Sequence, residues 1–161
     1  MEYFPFSLSG KTILVTGASS GIGKAVAQEC AAAGATCLIT ARNEQRLQQT
    51  LEGLQGEGHQ MFIADLAGTT AIETMVESLP KLDGVVSCAG VVETKMLKFT
   101  EEEDLQKLFE TNAFSAIRLV RALVQKKKTE ERILSCFHIL HIWSEMRLYW
   151  RLALWSNKGR Y

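Results

Sequence analysis

Eight consecutive residues near the N-terminus, Thr16-Gly17-Ala18-Ser19-Ser20-Gly21-Ile22-Gly23, restrict the architecture more than any other stretch of the chain. They follow Lys11-Thr12-Ile13-Leu14-Val15-Thr16, an apolar and β-branched run of strand length. Its lack of alternation suits a strand buried on both faces of a parallel sheet. Downstream, Ile22 to Ala33 read as helix. Gly17, Gly21 and Gly23 permit a tight turn with close backbone approach, so the first free N–H groups of the helix can meet a pyrophosphate at its positive end. The spacing is G-x-x-x-G-x-G, neither the G-x-G-x-x-G dinucleotide fingerprint nor the P-loop. Lys24 follows Gly23 directly, where the P-loop spacing fails, which argues against nucleoside triphosphate chemistry.

The octet resembles the cofactor motif T-G-x-x-x-G-x-G of the short-chain dehydrogenase/reductase family, which often reads TGASSGIG as it does here. That resemblance implies an α/β, Rossmann-like, doubly wound parallel sheet in the order 3-2-1-4, with a cofactor crevice at the carboxyl ends of strands one and four. It also implies carbonyl/alcohol interconversion by hydride transfer, acting on a small carbonyl or alcohol substrate. Gly17, Ser19, Gly21, Ile22 and Gly23 carry over as cofactor-binding positions.

The first helix is expected to end near Gly34, a natural C′ residue, before a second strand over Ala35 to Thr40. Thr40-Ala41-Arg42-Asn43 then lead into a helical stretch reaching about Gln55 and broken by Gly56 and Gly58. In a dinucleotide fold this point faces the adenosine ribose, where a basic residue binds a 2′-phosphate and an acidic one a 2′-hydroxyl. Arg42 therefore favours NADP over NAD; the competing reading is a solvated arginine at a helix start, and Arg46 one turn on is open to the same two readings. A third strand, His59 to Ala64, ends in Asp65-Leu66, a dipeptide that the resemblance places at the adenine ring. Asp65 also reads as an N-cap for a helix over Thr69 to Leu79, with Gly68 and Thr69 as rivals. Pro80 to Asp83 form a turn, and Gly84 to Gly90 a fourth buried strand. Its end is Cys88-Ala89-Gly90 where the family has N-A-G: Ala89 and Gly90 still let a cofactor lie close, while cysteine cannot reproduce the hydrogen bonds of an asparagine amide.

Thr100-Glu101-Glu102-Glu103 offers a capping-box pattern for a long helix reaching about Lys126, with Leu105, Leu108, Phe109, Ile117, Leu119, Val120 and Leu123 facing inward. Asn112 interrupts that face. By resemblance it is the asparagine that bends this helix and holds a water in a proton relay. Beyond Lys126-Lys127-Lys128 the family pattern stops. A fifth strand is expected at Ile133 to Phe137, but no serine-rich strand end follows and no tyrosine–lysine pair stands four apart. On a helix that spacing puts an ammonium beside a phenol, lowering its pKa for proton exchange with the substrate oxygen. Tyr149 and Lys158 do not replace it, because nine residues of helix span about 13 Å. Trp143, Trp150 and Trp155, the only tryptophans, fall in an apolar tail that reads as a buried or interfacial helix, short of a clean membrane span. The abrupt loss of pattern suggests a frame lost near Lys128 by frameshift, alternative splicing or truncation, giving a Rossmann-like domain over 1–128 and a divergent tail over 129–161.

With 18 basic and 18 acidic residues, the chain has no net field to attract nucleic acid or an anionic membrane. Cys30, Cys37, Cys88 and Cys136 form no C-x-x-C, and no secretory leader precedes the first strand, so a reducing, cytoplasmic compartment is expected. His59, His138 and His141 lack further ligands, and no metal site is expected. An incomplete sheet would leave an apolar flank to be covered by the tail or by self-association as a homo-oligomer, and the alternative to an enzyme is a noncatalytic chain that binds a dinucleotide or dimerises through the helix around Asn112 with a full-length relative.

Overall fold

The computed structural model describes residues 7–137. Five parallel strands alternate with helices: β1 (Thr12–Thr16), α1 (Gly21–Ala32), β2 (Thr36–Ala41), α2 (Glu44–Glu52), β3 (Gln60–Ile63), α3 (Thr69–Ser78), β4 (Leu82–Ser87), α4 (Glu102–Phe109), α5 (Ser115–Gln125) and β5 (Thr129–Phe137). The sheet order is β3-β2-β1-β4-β5, so the expected 3-2-1-4 arrangement holds, with the fifth strand beside the fourth.

Central β1 is buried on both sides, as its sequence requires. Leu14 joins Leu38, Val85, Ile72, Val76, Leu119 and Leu123 in the core beneath α3 and α5. Ile13 and Val15 join Cys37, Ile39, Ala27, Ala31 and Leu47 in the core beneath α1 and α2. Small alanines on the inner face of α1 let that helix lie close to the strands.

Several boundaries differ from expectation. Leu82 and Asp83 belong to β4 rather than to a turn, because the Asp83 carboxylate accepts the Thr12 N–H at 2.9 Å and Lys11 Nζ at 3.0 Å, tying the start of β4 to β1. The fifth strand, expected at Ile133 to Phe137, is present and begins four residues early, at Thr129. Residues 1–6 and 138–161, including the aromatic lead-in and the three tryptophans, lie outside the described residues. The Lys126-Lys127-Lys128 run closes the α3 end of the molecule: Lys128 Nζ donates to the carbonyls of Glu77 (3.0 Å) and Leu79 (2.6 Å), and Lys126 pairs with Glu77 (2.7 Å). A cation at a helix C-terminus complements its dipole.

The expected long helix is divided by a π-helical turn at Glu110–Phe114. The wider turn shifts the helical phase, so the inward face does not run through. Leu119 and Leu123 are fully buried, whereas Leu105, Phe109 and Ile117 are exposed, contrary to their expected inward placement. The cap also differs. Thr100 Oγ1 turns back to the Met96 carbonyl, and the reciprocal box is made by Glu101 with Asp104, whose Oδ2 accepts the Glu101 N–H at 2.8 Å. No helix among the described residues is long and apolar enough to cross a membrane.

Candidate functional site

A cavity of about 480 Å³ opens at the carboxyl ends of β1 to β4. All ten residues expected to contact a cofactor line it: five from the β1–α1 turn, Arg42 after β2, Asp65 and Leu66 after β3, and Ala89 and Gly90 after β4.

The turn shows why its glycines fall where they do. Gly17 has φ +67°, and a Cβ there would lie 2.7 Å from the Ala89 nitrogen and the Cys88 oxygen. A Cβ at Gly23 would come within 2.4 Å of the Gly17 oxygen, so these two positions hold backbone against backbone. Gly21 is different: it has φ +53° and nothing within 4 Å of a Cβ, leaving open space at the start of α1. Ser20, the N-cap, is extended and makes no side-chain cap, and no acidic residue stands in the first turn. The unclaimed amides and positive end of α1 thus border open space on the cavity wall at Gly21, which fits a pyrophosphate.

The floor is tied together by Thr16, whose Oγ1 accepts the N–H groups of Cys88 and Ala89, both at 3.1 Å. The strand end around Cys88 is therefore placed through its backbone, without an asparagine amide. Along the rim, Arg42 and Arg46 are both exposed, and neither forms an ion pair among the described residues. Asn43 fixes their spacing by capping α2, its Oδ1 accepting the Arg46 N–H at 2.9 Å. Asp65 does not cap α3, whose N-cap is Gly68; its Oδ1 takes the Ala67 N–H at 3.1 Å and shapes the loop above buried Leu66.

A family model described as short chain dehydrogenase matches residues 11–135. The chain is 31% identical over 134 residues to the uncharacterized oxidoreductase YvaG of Bacillus subtilis, covering 80% of this chain and 51% of that protein. It is 34% identical over 137 residues to the 3-oxoacyl-[acyl-carrier-protein] reductase FabG of Escherichia coli, covering 80% and 55%. A dehydrogenase/reductase from Sinorhizobium meliloti superposes with a TM-score of 0.68 at 31% identity, over 74% of this chain and 50% of the other. The chain belongs to the short chain dehydrogenase family. It spans about half the length of the curated relatives it matches.

Membership of this oxidoreductase family implies a nicotinamide dinucleotide cofactor. Asn112, at the centre of the π-helical turn, does not line the cavity; its Oδ1 accepts the Val91 N–H at 2.8 Å and its Nδ2 donates to the Val91 carbonyl at 2.9 Å. It thereby anchors the segment leaving β4, and Gly90 lets it lie close, since a Cβ there would press on Asn112 Oδ1 at 3.2 Å. Among the further residues of the cavity wall, the sequence reading gave no site role to Thr40, Thr111 and Ser115. Thr40 was legible from parity, standing two residues beyond buried Leu38; the other two depend on where the π-helical turn meets the end of β4. Ser115 Oγ donates to the Thr111 carbonyl at 2.6 Å, using one of the carbonyls of the π-helical turn.

Among the described residues no group of three His, Cys, Asp or Glu side chains is placed to hold a metal. His59 is engaged in the framework: the Cys37 N–H donates to its Nδ1 at 3.0 Å, and its Nε2 meets the Gln55 carbonyl at 2.8 Å. The first bond makes Nδ1 an acceptor, so Nε2 carries the proton. His138 and His141 lie outside the described residues.

Proposed function

We propose that this chain binds NADP in preference to NAD, through the α1 cradle and the Arg42–Arg46 rim. The observation that carries this reading is the pair of exposed arginines, spaced by the Asn43 cap at the edge of the cavity and without acidic partners among the described residues. A 2′-phosphate would meet two guanidinium groups there, and Arg is suited to bidentate phosphate contacts. Gly17, Ser19, Gly21, Ile22 and Gly23 would surround the pyrophosphate, Asp65 and Leu66 the adenine, and Ala89 and Gly90 the nicotinamide ribose.

When bound, the cofactor supplies or accepts a hydride. The relatives' printed activities suggest a carbonyl substrate, such as the 3-oxoacyl thioester reduced by FabG. Proton delivery to the carbonyl oxygen is the missing part here, since the sequence holds no tyrosine–lysine pair at the required spacing. Asn112 would keep its relay position, positioned by Val91, yet with no acid to supply. We therefore assign this chain cofactor binding without efficient turnover. Incubating it with NADPH and a 3-oxoacyl thioester tests this: saturable binding without NADPH oxidation is expected, and oxidation at a rate comparable to a complete reductase would overturn it.

A second reading, assembly with another chain, is favoured by one observation. Leu105, Phe109, Ile117 and Val124 of α4 and α5 are all more than 40% exposed. Such apolar faces commonly mark interaction sites. Ile117→Glu would shift the mass measured by light scattering toward monomer if this face pairs two copies, or a copy with a full-length relative; an unchanged mass would exclude it.

A further inference from the structure

At the carboxyl end of β2, the Thr40 hydroxyl has no hydrogen-bond partner among the described residues, although Thr40 is fully buried and lines the cavity. The neighbouring strands explain why. In register across β1 stands Thr16, whose Oγ1 already accepts two N–H groups and lies 3.5 Å from Ser87 Oγ. In register across β3 stands Phe62, which has no polar side-chain atom. The Thr40 carbonyl takes the Ala18 N–H at 3.3 Å, so the backbone is engaged and only the side chain is left over. A buried hydroxyl without a partner is costly, and valine has nearly the same shape without that cost. A threonine at this point is therefore better explained by a partner that arrives with a ligand.

We propose that Thr40 Oγ1 is a hydrogen-bonding contact for the adenosine half of the bound dinucleotide. This rests on the NADP reading of the cavity. Thr40 lies on β2 two residues before Arg42, between the α1 cradle and the arginine rim, with Leu66 and Ala89 on the same inner wall. The part of a dinucleotide that spans from a pyrophosphate at α1 to a 2′-phosphate at Arg42 is the adenosine ribose and its base.

Thr40→Val and Thr40→Ser test the proposal, with NADPH and 2′,5′-ADP as calorimetric probes and thermal unfolding of the free proteins alongside. Thr40→Val is expected to bind both probes about tenfold more weakly, in keeping with one lost hydrogen bond, while the free variant unfolds at the same temperature as the parent or higher. Thr40→Ser, which keeps the hydroxyl, should bind within about twofold of the parent, a small change on the same scale. Equal binding of both probes by the parent and Thr40→Val overturns the proposal and leaves the NADP reading intact. A Thr40→Val protein that is destabilised or fails to fold also overturns it, because the hydroxyl would then have a protein partner. If the parent binds neither probe, the NADP reading fails and this proposal with it.

Discussion

The side-chain amide of Asn112 meets both backbone groups of Val91, accepting the N–H at 2.8 Å and donating to the carbonyl at 2.9 Å, so a residue of the π-helical turn closes the segment leaving β4 as a neighbouring strand would. Asn112→Ala leaves both groups without their partner and should destabilise the protein by about 1–3 kcal/mol. That corresponds to about 2–4 °C in Tm for each kcal/mol. Asn112→Asp keeps an acceptor for the N–H but sets a carboxylate against a carbonyl, so its deficit at pH 7 should shrink on acidification. Thermal unfolding of both variants at two pH values checks this; parent-like unfolding of Asn112→Ala would contradict it.

The glycines of the β1–α1 turn should separate into folding and binding roles. Alanine at Gly17 forces a backbone contact at 2.7 Å as well as an unfavourable φ, and Gly17→Ala should be severely destabilised. Alanine at Gly21 meets no atom within 4 Å, so the folded protein bears only the left-handed cost of about 1–2 kcal/mol. Gly21 lines the cavity, so Gly21→Ala should fold yet lose most of its dinucleotide affinity. Comparing unfolding midpoints with NADPH titrations of the two variants decides this, and a Gly21→Ala protein that binds like the parent would refute the cradle.

Acid sensitivity follows from the carboxylates that tie element ends together. The Thr12 N–H, followed by the Lys11 ammonium, holds the Asp83 carboxyl below its ordinary range; the Glu101 N–H, followed by Lys95, does the same for Asp104. With the folded pKa below the unfolded one, their contribution is complete above the ordinary carboxylate range and is lost as pH falls through the folded value. This contribution should be complete from neutrality to about pH 5 and decline below about pH 4. Asp83→Asn should show a shallower decline in urea midpoint over that interval; a decline as steep as the parent's would count against the Asp83 link.

Cys37 is sealed in the core under α1, its Sγ 3.4 Å from the Ala27 carbonyl. Burial, with a smaller effect of Cys30, pushes its thiol up to about 12. At pH 8 only about one molecule in ten thousand would carry the thiolate that alkylating reagents attack. Mass spectrometry should find Cys37 unmodified in the native protein and modified only after unfolding. Native labelling at the rate of a free thiol would show that this part of the core opens.

The strand order and ten of the cavity-lining residues were legible because they depend on local chemistry: small residues at a turn, an apolar strand without alternation, and a basic residue after a strand. The outward face of α4 and α5 was not legible. One π-helical turn changes the phase of every later residue, and the sequence signals it only by Asn112, whose partner Val91 is 21 residues away. The Glu101 cap was hidden by Thr100, a better capping residue whose hydroxyl is drawn back to Met96. Thr40 reads as one more β-branched strand residue, and its significance appears only when Thr16 on one side and Phe62 on the other are seen to offer it nothing.

The central claim is an assembled dinucleotide site whose arginine rim selects the 2′-phosphate. Calorimetric titration with NADPH and NADH, of the parent and of Arg42→Ala, tests it most directly. The parent should bind NADPH at least tenfold more tightly than NADH, a preference of about 1.4 kcal/mol or more, and Arg42→Ala should lose most of that preference while keeping its NADH affinity. Equal affinity for the two dinucleotides, or a preference untouched by Arg42→Ala, would contradict it.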